Sequence, residues 1–392
     1  MNNSNYNVSL EIEEGLIDIA MNSFSFAIQD SIYEVYPKMK FTLSDPSGNI
    51  IEHLFGVEGM KMTLSYGYES GDSIKCPFVF LYDDLKDTIK RDRISGAINY
   101  TLLHDYYSTQ YQKSEGFKDR ISNIVKKKIG SYNFTSSEVN DTGNQDTWYQ
   151  PLKTDVEFIK KQLLPYAYSN NSNDSPFYFF IDCNNQVNFV YYDHMYNNVL
   201  KEDYLYGILK DSESLNNIID LKKIRKGSNS TKKYRNVRIF EKSASEGIKD
   251  NNVTKKMNDY PKISKGKLPI IFDSELPTDF MILNEESETG EKENNKGMII
   301  NHFKPTMDLD SYIITLPFNP LVRSGKSMNI KILSSSDTTD SYSINYSDRY
   351  VITRSTHIWD GASSEGYTQA IVSRKFVNLV GSDNKLDLKI GG

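Results

Sequence analysis

The sequence has few cysteines and no long apolar run. Its 392 residues include only Cys76 and Cys183, which lie far apart and exclude a disulfide framework or a cysteine-based metal knuckle. No stretch of about 18 consecutive apolar residues occurs, so we expect no membrane-spanning segment. The polar N-terminus, MNNSNYNVSLEIEEG, has no apolar core of signal-peptide length. These absences predict a soluble protein made inside the cell.

Excess positive charge is also absent. The 46 basic and 52 acidic residues give a formal net charge of −6, which disfavours a protein that coats nucleic acid. Hydrophobic residues make up 38% of the chain, which excludes a disordered protein. Against 2 Trp there are 27 Tyr and 19 Phe, residue types that suit a pleated, half-buried surface. The composition therefore favours β structure.

Catalytic and metal-binding signatures are missing. The histidines occupy neither an HExxH motif nor metal-ligand spacing with another His or Cys, and no GxSxG motif occurs. We expect structural or surface roles for all five: His53, His104, His194, His302 and His357. The acidic pairs Asp83/Asp84 and Asp308/Asp310 are typical of solvated turns.

One short stretch resembles the tail of a phosphate-binding loop. Residues 324–327 read Ser-Gly-Lys-Ser, but the complete motif needs glycine at position 320, where this chain has Pro320. Proline has no N–H to offer a phosphate, and the residues that follow are typical of a strand rather than a helix. The sequence therefore predicts no catalytic, cofactor-binding or metal-binding residue, and no cofactor.

Alternating apolar and polar residues predict a first β domain over residues 1–110. Val8, Leu10 and Ile12 alternate with polar residues, and the same period of two recurs further on. Strands are predicted at 39–43, 60–66, 76–82 and 96–104.

The period changes in residues 111–196, which predicts a mixed α/β middle domain. Apolar residues at three- and four-residue steps indicate a helix over 114–128 that stops at Gly130. Thr154 and Glu157 form a capping box that starts a second helix, and Pro165 ends or kinks it. Residues 177–193 are typical of an aromatic hairpin that turns at Asn184-Asn185.

The rest of the chain returns to β patterning. A second β domain is predicted over 197–241 and 306–380, with strands within 216–241, at 328–332, and in a closing hairpin formed by 349–358 and 366–379. Residues 242–305 form a charged excursion that we associate with the middle domain, and 381–392 a C-terminal tail. Residues 59–64 and 325–330 share a glycine that leads into an alternating strand.

One basic run allows two interpretations. Eight basic residues and no acidic one occur from 222 to 238: Lys222, Lys223, Arg225, Lys226, Lys232, Lys233, Arg235 and Arg238. They suit phosphate contacts, but Tyr234 is the sole interleaved aromatic residue, so we favour solvation or a subunit contact. The acidic partner in such a contact would be Glu285, Glu286, Glu288, Glu291 and Glu293.

Several segments together resemble the central baseplate hub protein of contractile-tailed, T4-like bacteriophages. They are residues 30–33 leading into 39–43 and the turn 45–49, Trp148 before 155–164, the hairpin FYFFIDCNNQVNFVYYD at 177–193, and the strand 350–359. The resemblance covers most of the chain, except for the 242–305 excursion. It implies a mainly β fold with an α/β insert: two related antiparallel β-barrel (tail-tube-like) domains plus a mixed α/β middle domain.

The resemblance also implies a function. A hub of this family is a homotrimer whose six β domains form a pseudo-sixfold ring between the sixfold tail tube protein and the threefold central spike protein. Tape-measure and baseplate wedge proteins are further expected partners, and DNA passes through the lumen without sequence-specific binding. The expected location is the virion tail baseplate, assembled in the host cytoplasm, and no enzymatic activity is implied.

Two alternatives remain open from the sequence. The chain could be the hub of a phage-like contractile injection system, or the distal tail hub of a non-contractile phage. In another class, it could be a tail-associated glycan or peptidoglycan hydrolase, since tyrosine-rich β proteins often bind sugars and carboxylates are plentiful, although no motif supports this.

Overall fold

The architecture was determined from a computed structural model of the chain. It describes residues 6–12, 17–19, 24–45, 59–68, 73–80, 96–143, 145–170, 175–207, 216–224, 236–243, 247–255, 278–284, 291–308, 310–333 and 347–374. Among these residues, no helix has the length and apolar character needed to cross a membrane.

The first β unit is built from strands in which apolar and polar residues alternate. Their bounds are β1 Tyr6–Ile12, β2 Ile17–Ile19, β3 Phe24–Ser31, β4 Lys38–Asp45, β5 Lys61–Tyr68, β6 Ser73–Phe80 and β7 Gly96–His104. Leu10, Phe41 and Leu64 are buried, whereas Lys40 and Lys61 are exposed. The strands predicted from alternation in this part of the chain are confirmed.

The middle unit mixes short strands and helices. Its elements are β8 Lys113–Arg120, α1 Ile121–Ile129, β9 Ser136–Val139, β10 Gln145–Lys153, α2 Asp155–Phe158, β11 Phe177–Ile181, β12 Gln186–Tyr191 and α3 Tyr192–Asn197. After α2 the chain continues as a π-helical turn, Ile159–Leu163, and a 3-10 turn, Leu164–Tyr166, which ends just after Pro165 as predicted. The predicted aromatic hairpin is confirmed as β11 and β12, which pair antiparallel.

The second β unit and a smaller sheet follow. The strands are β13 Val199–Tyr206, β14 Asp220–Lys223, β15 Asn236–Ser243, β16 Gly247–Lys255, β17 Thr278–Asn284, β18 Asp310–Pro317, β19 Ser327–Ile332, β20 Asp348–Asp360 and β21 Glu365–Arg374, with helix α4 at Glu291–His302 before β18. Strands β15 to β17 form their own three-stranded sheet. Helix α4 contacts the middle unit through Asn301, whose side chain donates to the carbonyls of Pro165 and Ala167.

One 13-stranded sheet runs through both β units. Strand β3 of the first unit pairs antiparallel with β20 of the second, from Phe26 opposite Trp359 to Ser31 opposite Arg354. One edge of β20 pairs with β21. The other edge pairs with β19 near the start of β20 and with β3 nearer its end. This pairing covers a strand edge of each unit that would otherwise be open to another chain.

The prediction of a mainly β chain with an α/β insert is confirmed, but its barrels need correction. Within the described ranges the main path of the sheet runs β14-β18-β21-β20-β3-β4-β7-β6-β5-β1-β2, with β13 and β19 on a side branch, and the strands of the first unit do not close on themselves. In the second unit Leu205 of β13 bridges Asn217, just before β14, so a backbone contact links the two ends of β14-β18-β21-β20-β19-β13. The two units continue into each other because β20 pairs with β3 along part of one edge, while β19 pairs along the rest of that edge.

The prediction of a helix over 114–128 is wrong in its first half. Residues 113–120 form β8, and the helix begins at Ile121. Phe117 lies opposite Trp148 of β10, and that cross-strand aromatic pair holds the segment in a sheet. The predicted end is confirmed, because Gly130 is the C-terminal cap.

Thr154 and Glu157 form the predicted capping box at the start of α2. The Thr154 hydroxyl accepts from the Glu157 N–H at 3.1 Å, and the Glu157 carboxylate accepts from the Thr154 N–H at 3.5 Å. We expect Thr154→Ala to lower the free energy of unfolding by about 1 kcal/mol, because an orphan helix donor loses its acceptor. Urea denaturation measures the loss. Ser137→Ala, which removes an exposed hydroxyl from β9, is the control, and an equal loss there would contradict the capping role.

Candidate functional site: a buried junction of three chain segments

Five residues from distant parts of the sequence meet inside the protein, and we call them the three-way junction. Asp30 is the second-last residue of β3, Asp182 and Cys183 lie in the turn between β11 and β12, and Arg323 and Ser324 precede β19. Asp30, Asp182, Cys183 and Ser324 are each at most 2% exposed. The junction therefore joins the first β unit, the middle unit and the second β unit through polar side chains, in addition to the apolar packing around them.

Asp30 contacts both of the other segments. Its Oδ2 accepts from the N–H of Cys183 at 2.9 Å. Its Oδ1 accepts from the hydroxyl of Ser324 at 2.7 Å and from the Ser324 N–H at 3.3 Å. Each of these contacts donates to the carboxylate, so together they offset part of the cost of burying Asp30.

Asp182 forms the second half of the junction. Its Oδ2 accepts from Arg323 Nη1 at 2.9 Å, and its Oδ1 accepts from the N–H groups of Asn184 at 2.9 Å and Gln186 at 3.0 Å. These backbone contacts are those of an aspartate that shapes a tight turn. One carboxylate thus orders the hairpin turn and also pairs with the second β unit.

The hairpin turn inserts into the first β unit. Asn185 adopts a φ of 53°, which asparagine tolerates better than most residues. Its Oδ1 lies 3.0 Å from Nε2 of His104 at the end of β7. Cys183, beside it, belongs to the same hydrophobic core cluster as Cys76 of β6. The predicted turn is therefore also a contact between units.

Gly325 brings the second β unit close to the hairpin. Its φ is +81°, and a Cβ at this position would lie 2.4 Å from Cζ of Phe180. Its N–H donates to the carbonyl of Ile352 in β20 at 2.9 Å. Only glycine combines this backbone conformation with so close an approach.

Burial dominates the electrostatics of the junction. It raises the pKa of Asp30 to about 6, and the nearby Asp182 carboxylate adds to the shift. Burial also raises the pKa of Asp182, although Arg323 opposes the change. Burial first, and then the two carboxylates, raises the pKa of the Cys76 and Cys183 thiols, so both remain protonated and unreactive. The arrangement is suited to holding segments together rather than to nucleophilic chemistry.

The raised pKa of Asp30 predicts how stability changes with pH. The folded protein holds a proton on Asp30 up to about pH 6, whereas the unfolded chain releases it near 3.8, so this carboxyl lowers stability as pH rises between those values. Relative to Asp30→Asn, which mimics the protonated form, we expect the wild type to lose up to about 3 kcal/mol between about pH 4 and about pH 7.

Urea denaturation of both proteins across that pH range measures the difference. His104 and His357 have lowered pKa values and act in the opposite direction, but both proteins contain them and their effect cancels. Parallel stability profiles for the two proteins would contradict the role of Asp30.

Two of the candidate histidines are buried and structural. His104 accepts from the Tyr106 N–H through Nδ1 at 3.1 Å, so its Nε2 donates to Asn185. His357 lies between Ser355 and Thr368, both at 3.1 Å. Burial lowers the pKa of His104 to about 4 and that of His357 to about 3, so both rings are neutral at neutral pH. The expected sheet pairing of His357 is confirmed, on the buried face.

The remaining histidines are not brought together. His194 Nε2 lies 2.6 Å from Glu138 Oε1, and this contact lowers the pKa of Glu138. His302 stacks edge-on against Phe303 in α4, and His53 lies outside the described residues. Over the part of the chain that the structure describes, no group of three or more His, Cys, Asp or Glu side chains could hold a metal ion.

The stretch that resembles a phosphate-binding loop is part of the junction. Ser324 donates to Asp30, and a carboxylate thus occupies the acceptor position beside this loop. The Ser327 N–H donates to the carbonyl of Asn198, and its hydroxyl donates to that of Tyr196. The following element is strand β19, as predicted.

The other charged candidates are dispersed. Lys222 pairs with Asp220 at 2.7 Å on exposed β14, and Lys223 lies over the Tyr312 ring. Asp308 accepts a hydrogen bond from the Tyr33 hydroxyl. Asp83, Asp84 and the basic residues from 225 to 235 lie outside the described residues, as do Glu285, Glu286 and Glu288, so the basic–acidic contact stays a prediction.

Of the junction residues, the sequence drew attention to Cys183 and Ser324 for other reasons and gave no sign that they meet Asp30, Asp182 and Arg323. Asp30 and Asp182 lie within segments that carried the family resemblance, but nothing in their spacing links residues 152 positions apart. The available signal was an acidic residue at the end of each of two strands with buried apolar neighbours. A buried aspartate needs donors, and the sequence does not say which segment supplies them.

Comparison with known proteins places the fold among phage tail proteins. The structure is similar to the tail protein from Neisseria meningitidis MC58 (TM-score 0.57, 9% identity, 94% of this chain and 96% of that one). It is also similar to the 43 kDa tail protein of prophage MuSo2 from Shewanella oneidensis (TM-score 0.56, 10% identity, 94% and 98%). No protein-family model and no curated protein sequence matches. The resemblance to tail hub proteins is confirmed at the level of the fold.

Proposed function

We propose that the chain is a structural, non-enzymatic subunit of a phage-type tail baseplate. Three copies form a pseudo-sixfold ring between the sixfold tail tube and the threefold central spike, and the genome passes through that ring. The chain acts as an adaptor between two symmetries and as a conduit.

One observation carries the proposal: the fold matches two tail proteins over almost the whole length of each chain. The match at 94% coverage takes in both β units and the middle unit, so it is not a likeness between isolated sheets. The proposal therefore rests on a complete three-part arrangement rather than on a motif.

The two β units supply the symmetry argument. Three copies with two similar units each present six similar faces to a sixfold tube. Gly59 and Gly325 support the similarity, since their φ values are +79° and +81° and each lies two residues before a strand, β5 or β19. The junction and the β3–β20 pairing hold the two units at a fixed angle, which a closed ring needs.

The net charge of the chain supports its role as a conduit for DNA. The net charge of −6 is of the sign that repels DNA phosphates, so a genome would slide through rather than bind. The short described β14 strand at one end of the large sheet has three charged residues among its four, which is typical of an edge that avoids unspecific pairing.

Native mass spectrometry and negative-stain electron microscopy of the full chain test the ring. We expect a three-chain annulus at micromolar concentration. A stable monomer with no partner present would overturn the proposal.

The partners and location need a second experiment. Purified rings mixed separately with tail tube protein and spike protein should bind both, on opposite faces in class averages, and mass spectrometry of purified virions should detect the chain in the tail baseplate. The tape-measure and wedge proteins are expected among the cross-linked neighbours. Absence of the chain from virions would contradict the assignment.

The non-enzymatic role is tested by zymography on peptidoglycan and capsule. We expect no clearing by the purified protein. Clearing that disappears when one acidic residue is neutralised would replace the structural proposal with a hydrolase.

A further inference from the structure

A two-stranded ribbon on the middle unit presents a face that the fold does not use. Strands β8 and β10 pair antiparallel and stand apart from the 13-stranded sheet. On one face Phe117 and Trp148 pack against the core cluster of the middle unit, and Gln150 is fully buried. The opposite face is made of the cross-strand pairs Gly116/Tyr149, Lys118/Thr147 and Arg120/Gln145, and all six residues are exposed.

Tyr149 is the centre of this exposed face. Its side chain is 60% exposed, and its hydroxyl lies 2.7 Å from Oγ of Ser114. Gly116 lies directly opposite, and no atom comes within 4 Å of the position that a Cβ would occupy there. The tyrosine ring therefore borders an open space wide enough for the side chain of another molecule.

Further apolar side chains lie beside the ribbon. Leu152 is 69% exposed and has a φ of 46°, at a bulge between Gln150 and Lys153. Tyr111 is 65% exposed, with Lys113 over its ring. The left-handed backbone of this exposed leucine does not contribute to core packing. Backbone strain of this kind clusters at active sites and ligand-binding sites.

The cross-strand pairs of the exposed face include two cations and no carboxylate, whereas the other face carries charges of both signs, including Lys113. Lys118 and Arg120 lie on the exposed face, whereas Glu115 and Asp119 lie on the other. Glu115 pairs with Lys128 at 3.1 Å, and that lysine is buried. The exposed face is thus positive, with a tyrosine beside its cations.

We propose that this ribbon face binds an extended, acidic segment of another polypeptide. Lys118 and Arg120 are two residues apart on one strand, so their Cα atoms are separated by about 7 Å. Acidic residues at alternate positions of an extended segment have the same spacing, and an apolar residue of that segment fits against Tyr149.

The same features argue against other ligands. A second copy of this face would bring like charges together, so the face does not complement itself. Single-stranded nucleic acid prefers a longer basic groove with several stacking rings, whereas only Tyr149 lies among these cross-strand pairs. The inference goes beyond the hub function and does not require the ring.

Fluorescence anisotropy with the full chain tests the proposal. The probe is a labelled extended peptide of roughly ten residues, with glutamate at two successive alternate positions, valine at the next alternate position and threonine between them, so that the acidic and apolar side chains share one face. We expect saturable binding that weakens as salt rises, and a loss of about tenfold or more in affinity for the double variant Lys118→Glu/Arg120→Glu. Tyr149→Ser should weaken binding at every salt concentration without changing the salt dependence.

The control is Lys40→Glu/Lys75→Glu, which makes the same charge change at exposed positions of β4 and β6. Equal loss of binding in this control, or no binding by the wild type, would overturn the proposal. So would stronger binding of an oligo-dT probe of similar length, or a change in oligomeric state caused by Lys118→Glu/Arg120→Glu. Ring formation is measured separately, so an intact ring with no peptide binding rejects this inference alone.

Discussion

Replacement of Arg323 by methionine is expected to lower the free energy of unfolding by about 3–5 kcal/mol at neutral pH. Methionine retains most of the apolar contact of the arginine stem but removes the cation that faces Asp182 at 2.9 Å. Asp182 and Asp30 are then two buried carboxylates without the arginine, and the partly buried Lys326 remains as a cation that lowers the pKa of Asp182.

The loss should depend on pH. Acid protonates the two carboxylates, whose pKa values burial already raises, and so relieves the unpaired charge. We therefore expect a clearly smaller destabilisation at about pH 5 than at about pH 8. Urea denaturation followed by tryptophan fluorescence measures the loss, since Trp148 packs against the core of the middle unit and Trp359 lies in the core of the large sheet.

Lys161→Met is the matched control for Arg323→Met. Lys161 pairs with Glu157 at 2.9 Å, but both side chains are largely exposed, at 64% and 42%. An exposed pair of this kind contributes about 0.3–0.5 kcal/mol. Similar losses in the two variants, or a loss in Arg323→Met that does not change with pH, would show that the junction is not an electrostatic contact.

Replacement of Gly325 by alanine is expected to cost about 2–4 kcal/mol. The φ of +81° strains any residue with a Cβ, and the new methyl group would lie 2.4 Å from Cζ of Phe180. Phe180 is 1% exposed, so its ring has little room to move. Thermal and urea unfolding of the full chain measure the loss.

Gly59→Ala separates the cost of backbone strain from the cost of the steric contact with Phe180. Gly59 has almost the same φ, +79°, but nothing lies within 4 Å of its added Cβ, so only backbone strain of about 1 kcal/mol remains. In Gly325→Ala combined with Phe180→Leu, the smaller side chain makes room, and the double variant should cost less than the sum of the single ones. Equal costs at Gly59 and Gly325, or strict additivity in the double variant, would contradict the steric contact.

Arg323→Met, at the three-way junction, and Gly325→Ala, next to it, also test the proposed ring. If the junction fixes the angle between the β units, a variant that remains folded but has a loosened junction should form fewer trimers than the exposed control variants. Native mass spectrometry at matched concentrations compares them. Full trimer formation by folded Arg323→Met would separate junction stability from ring geometry.

The sequence by itself determined the local elements. Alternation at Val8, Leu10 and Ile12, the capping box at Thr154 and the turn at Asn185 each act within a few residues, so the pattern alone specifies the structure. The same local reasoning was wrong at β8, because Phe117 satisfies a helical spacing as well as a strand that faces Trp148.

Only the tertiary structure decided how the parts meet. The pairing of β3 with β20 joins residues more than 300 positions apart, and it links the strands of the two β units into one continuous sheet. Asp30, Asp182 and Arg323 come from three segments, and each is an ordinary charged residue in its own stretch of sequence. Burial makes their mutual placement obligatory, because a carboxylate removed from water needs donors wherever the fold provides them. That requirement is a property of the folded interior, which local patterns do not encode.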